Sequence, residues 1–582
     1  MSRKTIPSHL QAYVSKQDYD LYTPINQAVW RYVMRQNYHF FRDLAHESYQ
    51  DGLEKSGISL DRIPRVDEMS QCLEPFGLAA VTIDGLIPGV AFFDFQGHGF
   101  LPIATEIRTL KHIGYTPAPD MLHEAGGHAP ILSEPKFAEY VRLFGQIGAK
   151  AISSREEHEL FLATRKLTQI MEDPASTPEM ITEVERVHAE KMKAATVRSE
   201  ATEISRLYWW TVEYGLVGTL NDPKIYGAGL LSSISEGQHC LSSDVEKIPF
   251  DVDVCMDTDF DVTKPQPQLF VCRDFDQLIE EIQVYSERMA YRVGGTESLE
   301  KAQRSGQVTT SVYNSGLQVS GVVTELLYDE QGEAVYLRTE GGTQLSFEDE
   351  ELPNQGCAVH HHGFSAPIGR VEGLEKQLEE LSLVECEELG MQIGSQLSLR
   401  FVSGVEVEGT LTNMTFQRDR LILLSFEDCK VTWGDRVLFE PEWGTFDMPV
   451  GERIQSVYAG PADHDHFVFE EQDVWTVHKP AVVWTDLDDL YQDVRDLREE
   501  QRKTWEVTSI LARLRQVDPD DWLLRVEILE LAIAFEDKSL ERQVRAELSE
   551  IAVRQVESRS LIDNGIRLAE QEPHTILVKQ TT

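Results

Sequence analysis

The sequence predicts a multidomain chain: a mainly α-helical first part, then a β-rich domain, then a C-terminal helical region. Three observations carry this. Through residues 1–300 apolar side chains recur mostly at helical spacing. From 301 the pattern changes to period two with glycine turns, and from 485 helical seams run to the end. The expected boundaries are 1–300, with a helical insertion at 154–200, then 301–465 and 466–582.

Composition narrows the partners. The chain has 582 residues and a formal net charge of −44. Nucleic acid and anionic membrane both want a basic surface, so neither is an expected partner. Seven cysteines never form C-x-x-C, so reduced thiols are expected. The N-terminus lacks an apolar signal core, and no apolar run approaches the ~18 residues that span a bilayer. The expectation is a cytoplasmic protein.

Residues 17–56 read as helical, with Ala28, Val29, Tyr32, Val33 and Met34 on one face. Leu78 to Phe95 reads as β-like. Each proline in Thr116-Pro117-Ala118-Pro119 disfavours helix before it, so a helix is expected to start near Pro119-Asp120 and carry His123. Residues 154–200 read as a solvated helical hairpin, with Asp173-Pro174 ending one helix and Thr177-Pro178 opening the next. Residues 204–218 include Tyr208, Trp209, Trp210, Val212 and Tyr214 and leave no polar side, so this helix is expected to be buried all round. Residues 248–273 read as extended, with Val262-Thr263 and Leu269-Phe270-Val271 as strand-like pieces. In the β-rich part the pentapeptide Leu-Ser-Phe-Glu-Asp occurs at 345–349 and 424–428. It suggests two related units separated by a helix at 373–382. The seam of Leu487, Leu490, Val494 and Leu497 reads as internal core, with a homo-oligomer interface as the alternative.

The chemistry sits in Pro119-Asp120-Met121-Leu122-His123-Glu124-Ala125-Gly126-Gly127-His128-Ala129-Pro130. Neutral imidazole is the commonest protein ligand for borderline metals. A zinc hydrolase of the H-E-x-x-H type needs histidines at i and i+4. Here the second is at i+5, about 140° away on an ideal α-helix. Non-haem iron needs two histidines and a carboxylate. Glu213, in the middle of the buried aromatic helix, costs several kcal/mol unless paired or metal-bound. The residues alone leave two readings for it: metal ligand, or buried salt bridge to Arg108 or Arg206.

Three blocks in order resemble the tetrahydropterin-dependent aromatic amino acid hydroxylases: Tyr115 to Pro130, Leu207-Tyr-Trp-Trp-Thr-Val-Glu-Tyr-Gly-Leu216, and Tyr226-Gly-Ala-Gly-Leu-Leu-Ser-Ser233. The resemblance covers residues 15–295 and implies a mainly α catalytic domain of that type. It implies Fe(II) held by His123, His128 and Glu213. Arg108, Thr116 and Ser232 would surround the substrate carboxylate, and Pro119 with Trp209 would line the aromatic ring pocket. Glu124 and Tyr208 would lie on the pterin and oxygen side. Without the resemblance, Thr116 reads as a turn residue and Trp209 and Tyr208 as core. The loop expected to meet pterin, 79–89, has no aromatic residue and places Leu86 there. The implied reaction is hydroxylation of L-phenylalanine to L-tyrosine with O₂ and a tetrahydropterin. Val262, apolar at a position tied to substrate choice, favours phenylalanine over tyrosine. A tyrosine or tryptophan hydroxylase is the alternative, and a zinc-dependent hydrolase a further one. A third reading makes residues 1–300 vestigial and the rest an interaction module. His360-His361-His362 and His464-Asp465-His466 read as incidental surface histidines rather than ligands.

Overall fold

A computed structural model describes residues 4–114, 119–172, 176–262, 264–469, 483–500 and 504–571. The Pro24–Phe40 helix begins where Thr23 Oγ1 accepts from Asn26 N–H and Asn26 Oδ1 accepts from Thr23 N–H, with Pro24 in the first helical position. Ten of its residues are buried, Trp30, Met34 and Asn37 among them. Helices Ser48–Lys55 and Val66–Leu73 follow.

Next comes a β-α-β unit. Strands Ala79–Ile83 and Phe100–Ala104 pair in parallel, joined by the helix Gly89–Gly97. The expectation of β structure through Phe95 therefore fails after Ile83. Val90 to Phe95 is a short, nearly continuous apolar run, which periodicity cannot assign. Burial decides it: a Cβ on Gly145 would lie 2.3 Å from Gly97 N, so this helix and Pro135–Gly148 meet backbone to backbone.

Helices Arg155–Glu172 and Pro178–Ala194 form the hairpin. Thr177 caps the second, accepting from Met180 N–H, and no residue of that helix is buried. The Asp173-Pro174 stop lies outside the described residues. Glu200–Tyr208 is α-helical, continues as a π-helix over Trp209–Glu213, and gives way to the strand Leu216–Thr219. The helix expected to reach 218 thus ends at Glu213. Leu216–Thr219 joins a sheet whose order is Asp222–Ile225, Leu216–Thr219, Gln268–Cys272, Glu246–Pro249. Between the last two, Asp251 caps a helix over Val252–Asp257, so 248–273 is extended only near its ends. Val262 sits exposed in a turn, and Thr263 lies outside the described residues.

Two antiparallel units follow with the same pairing scheme. In the first, Val308–Tyr313, Leu317–Tyr328, Ala334–Phe347 and Glu350–Glu351 meander, and Phe364–Pro367 pairs back onto Ala334–Phe347. In the second, Gln396–Arg400, Val405–Gln417, Arg420–Trp433 and Arg436–Phe439 meander, and Phe446–Pro449 pairs back onto Arg420–Trp433. The repeated pentapeptide does not mark this likeness. Its first copy ends a strand in the left-handed pair Glu348-Asp349, while its second runs through the middle of one. The helix expected at 373–382 is displaced to Leu383–Glu388, where Ser382 and Glu385 form a capping box.

Five C-terminal helices cover Asp486–Glu500, Thr504–Val517, Leu523–Ala534, Lys538–Arg554 and Arg559–Gln571. They do not stand apart. Leu490, Val494 and Leu497 belong to the same apolar core as Trp30, Met34 and Trp210. The seam expected to pack internally does so, against the first helices of the chain, and the oligomer reading loses that surface.

Candidate metal centre

Leu122–His128 is a π-helix, in which the Ala129 N–H reaches back five residues to Glu124 O. This changes the angular argument. In the i→i+5 register, a residue five places on lies nearly above the first. His123 and His128 therefore share a face, where an α-helix would set them about 140° apart. Glu213 ends the second π-helix, closed by Tyr214 N–H on Trp209 O at 2.8 Å. The two glycines allow the packing. A Cβ on Gly126 would lie 2.8 Å from Met34 Sδ, and one on Gly127 would lie 2.6 Å from Ala228 O.

His123 Nε2 is 3.1 Å from His128 Nε2, and the two nitrogens lie 3.2 Å from Glu213 Oε2 and Oε1 respectively. Donors about 2.1 Å from one ion at right angles are about 3.0 Å apart, so the two nitrogens and the Glu213 carboxylate, which meets each nitrogen through a different oxygen, converge at spacings that suit one ion. Among the described residues this is the one cluster of three or more histidine, cysteine or acidic side chains that converges this way. Ser232 Oγ lies 3.0 Å from His123 Nδ1 and itself points at Gly229 O. With Nδ1–H donating to Ser232, the Nε2 lone pair is free for a cation. Burial opposes a charge on Glu213, yet the two facing imidazoles outweigh it and hold the carboxyl far below its usual range.

Glu124 behaves oppositely. It is buried, and its Oε2 has no hydrogen-bond partner, lying 3.8 Å from His128 Nε2. Burial, aided by the negative charges of Glu213 and Asp120, pushes its carboxyl up to about 8. Metal-free protein therefore holds a proton there at neutral pH. A carboxyl raised on folding stabilises fully below its unfolded value near 4.5, and that stabilisation is lost as pH climbs toward 8. Thermal melts of the metal-free protein should show stability falling across this window, by up to ~1.4 kcal/mol per pH unit. Glu124→Gln should flatten the slope.

Arg108 and Asp120 are both buried. Nε and Nη2 of Arg108 donate to Oδ2 and Oδ1 of Asp120 at 2.9 and 2.8 Å, and Nη1 donates to Ser232 O at 3.2 Å. Asp120 Oδ1 also accepts the His123 N–H, so one carboxylate both opens the metal-bearing helix and holds the arginine. Arg108 is thus not a partner for Glu213, and neither is Arg206, which pairs with Asp259 and Met256 O. The sequence placed the start of the helix near this aspartate; its tie to Arg108 was not legible there.

The remaining predicted residues distribute as follows. Trp209 is sandwiched between Tyr214 and Phe260, each 4.4 Å away centroid to centroid. Tyr208 accepts from Gln96 Nε2 at 2.7 Å among the rings of Phe92, Phe93 and Phe144. Pro119 is exposed, and Thr116 lies outside the described residues. Leu86 is half-buried in the loop before Gly89. Sequence reasoning missed Gln96, Phe260 and Glu236, the last of which accepts the Tyr214 hydroxyl. The triple histidine is dispersed in role: His360 is held by Gln355, while the rings of His361 and His362 meet at a tilt of 45°.

Comparison with known proteins bears on the same half. The sequence profile described as biopterin-dependent aromatic amino acid hydroxylase matches residues 9–166 and 192–300, omitting most of the helical hairpin. The phenylalanine-4-hydroxylase of Mesorhizobium japonicum is 34% identical over 270 residues, 46% of this chain and 82% of that protein. That of Pseudomonas aeruginosa is 30% identical over 273 residues, 46% and 87% respectively. A crystal structure of Chromobacterium violaceum phenylalanine hydroxylase with bound iron(III) and 7,8-dihydrobiopterin is 25% identical, with a TM-score of 0.38, covering 49% of this chain and 92% of that one. The match spans both histidines and Glu213 and most of each relative's length: the chain belongs to the biopterin-dependent aromatic amino acid hydroxylases.

Proposed function

We propose that the protein hydroxylates L-phenylalanine to L-tyrosine using Fe(II), O₂ and a tetrahydropterin. The observation that carries the reading is the buried face of His123, His128 and Glu213 in a chain of this family. The Mesorhizobium japonicum and Pseudomonas aeruginosa relatives, 34% and 30% identical over the aligned 270 and 273 residues, are phenylalanine-4-hydroxylases, which favours phenylalanine over tyrosine or tryptophan. Iron held by His123, His128 and Glu213 would supply the redox chemistry that activates O₂ with the pterin. The zinc-hydrolase alternative is set aside with family membership.

The chain's own residues bind and orient. Of the five guanidinium hydrogens of Arg108, three are held by Asp120 and Ser232 O, leaving two for a substrate carboxylate. Ser232 keeps His123 in the ligating tautomer, while Thr116 joins the carboxylate site by resemblance to the family. Trp209, fixed by its stack, and Pro119 form walls of the ring pocket. Glu124 and Tyr208 face the pterin and oxygen side, by resemblance to the family. Residues 1–300 form the catalytic part of the proposal. A cytoplasmic location belongs to it too, supported by seven scattered cysteines that never form C-x-x-C.

The test is reconstitution of the full chain with Fe(II) and a tetrahydropterin, followed by phenylalanine, tyrosine and tryptophan as separate substrates. Phenylalanine should give tyrosine with the highest kcat/KM. A higher value for either competitor would reassign the substrate, and no pterin oxidation with any of the three would end the proposal.

A further inference from the structure

The Pro24–Phe40 helix lies between the metal centre and the C-terminal helices, and its contacts divide accordingly. Toward the C-terminal helices, Arg31 Nε donates to Glu527 Oε1 at 2.6 Å and Tyr32 OH to Leu561 O at 2.5 Å. Arg35 Nη1 and Arg498 Nη2 both donate to Glu530 Oε2 at 2.9 Å, and Tyr32 meets Trp522 edge-on at 5.2 Å. Toward the centre, Met34 presses on Gly126, and Asn37 Nδ2 donates to Leu231 O at 2.8 Å. Leu231 precedes Ser232, whose hydroxyl holds His123 and whose carbonyl holds Arg108.

The choice of side chains suits this through-connection. Asn37 is 1% exposed, where an apolar residue would fill the space without desolvation. Its amide instead fixes a carbonyl one residue from the group that orients a metal ligand. On the other side, Arg31, Glu527, Glu530 and Arg498 are all buried, though ion pairs in that setting add little net stability. Their directional bonds set the position of the helix, which an apolar layer alone would leave free to slide.

We propose that the 486–571 helices are a positioning element of the metal centre, acting through the Pro24–Phe40 helix, with Asn37 as the residue that passes position to Ser232 and His123. The proposal rests on His123, His128 and Glu213 being the iron ligands. Supporting partners of metal ligands change affinity 10–100-fold when removed. Asn37→Leu should therefore weaken Fe(II) binding about tenfold or more in the full chain, with the C-terminal helices still docked and protease-resistant. Glu527→Gln, which removes the carboxylate charge facing Arg31, should weaken it as well.

A second measurement needs no variant. Linkage makes coupling reciprocal, so Fe(II) added to the metal-free wild-type chain should slow amide hydrogen exchange in Leu523–Ala534. Unchanged Fe(II) affinity in both variants overturns the proposal. So does Fe(II) bound at one per chain with exchange in Leu523–Ala534 unaltered, and that result leaves the ligand assignment standing. No Fe(II) binding by the wild-type chain overturns the ligand assignment and the proposal together.

Discussion

Glu213→Ala should abolish Fe(II) binding and ring hydroxylation together. Removing a mere supporting partner costs 10–100-fold in metal affinity, so loss of one of three ligands should cost more than about 100-fold. The structure gives the residue no other role that would survive: its two oxygens face the two imidazoles at 3.2 Å each. Chelator-competition titration reads the affinity and circular dichroism the fold. Glu213→Asp shortens the side chain by one carbon and should retain weakened binding. Full stoichiometric iron in Glu213→Ala would remove the residue from the site.

Arg108→Leu is the second large effect, and it acts on stability as well as substrate binding. The substitution leaves Asp120 buried without its cation, which costs about 3–5 kcal/mol. Chemical denaturation at pH 7 should show that loss, and any remaining turnover should carry a strongly raised KM. The pH dependence separates this from general damage. In the native protein burial pushes Asp120 up, but Arg108 and two backbone N–H groups more than offset it and hold the carboxyl low. Its contribution is present above the unfolded value near 3.8 and is lost as pH falls through the lower folded value. In Arg108→Leu burial acts unopposed by the arginine, so the folded value rises and the sign reverses. The gap between variant and wild type should then narrow as pH is lowered toward 4. Arg108→Leu/Asp120→Leu should recover part of the stability and none of the turnover.

What the sequence showed of the site was its ligands, and what it hid was their backbone. Paired histidines and a carboxylate inside an aromatic helix are chemical signals that survive without coordinates. The π register is not such a signal: what packs on Gly126 and Gly127, Met34 and Ala228, is distant in sequence. The same holds for Asp120, legible as lying at the expected helix start but not as the partner of Arg108. In the fold, Val90 to Phe95 went astray because a short apolar run has no period to read. The two β units were inferred from a repeated pentapeptide that occupies inequivalent strand positions; their common pairing order is the real likeness. The C-terminal seam was plain as a 3-4-3 pattern, but a pattern names no partner, and only packing shows that it completes the core of the first helices.

The origin of the oxygen atom in the product tests ring hydroxylation most directly. Turnover of phenylalanine by the Fe(II)-loaded chain under ¹⁸O₂, with a tetrahydropterin present, should yield tyrosine carrying one ¹⁸O in its ring hydroxyl by mass spectrometry. Product oxygen drawn from water, or no ring hydroxylation at all, would contradict it.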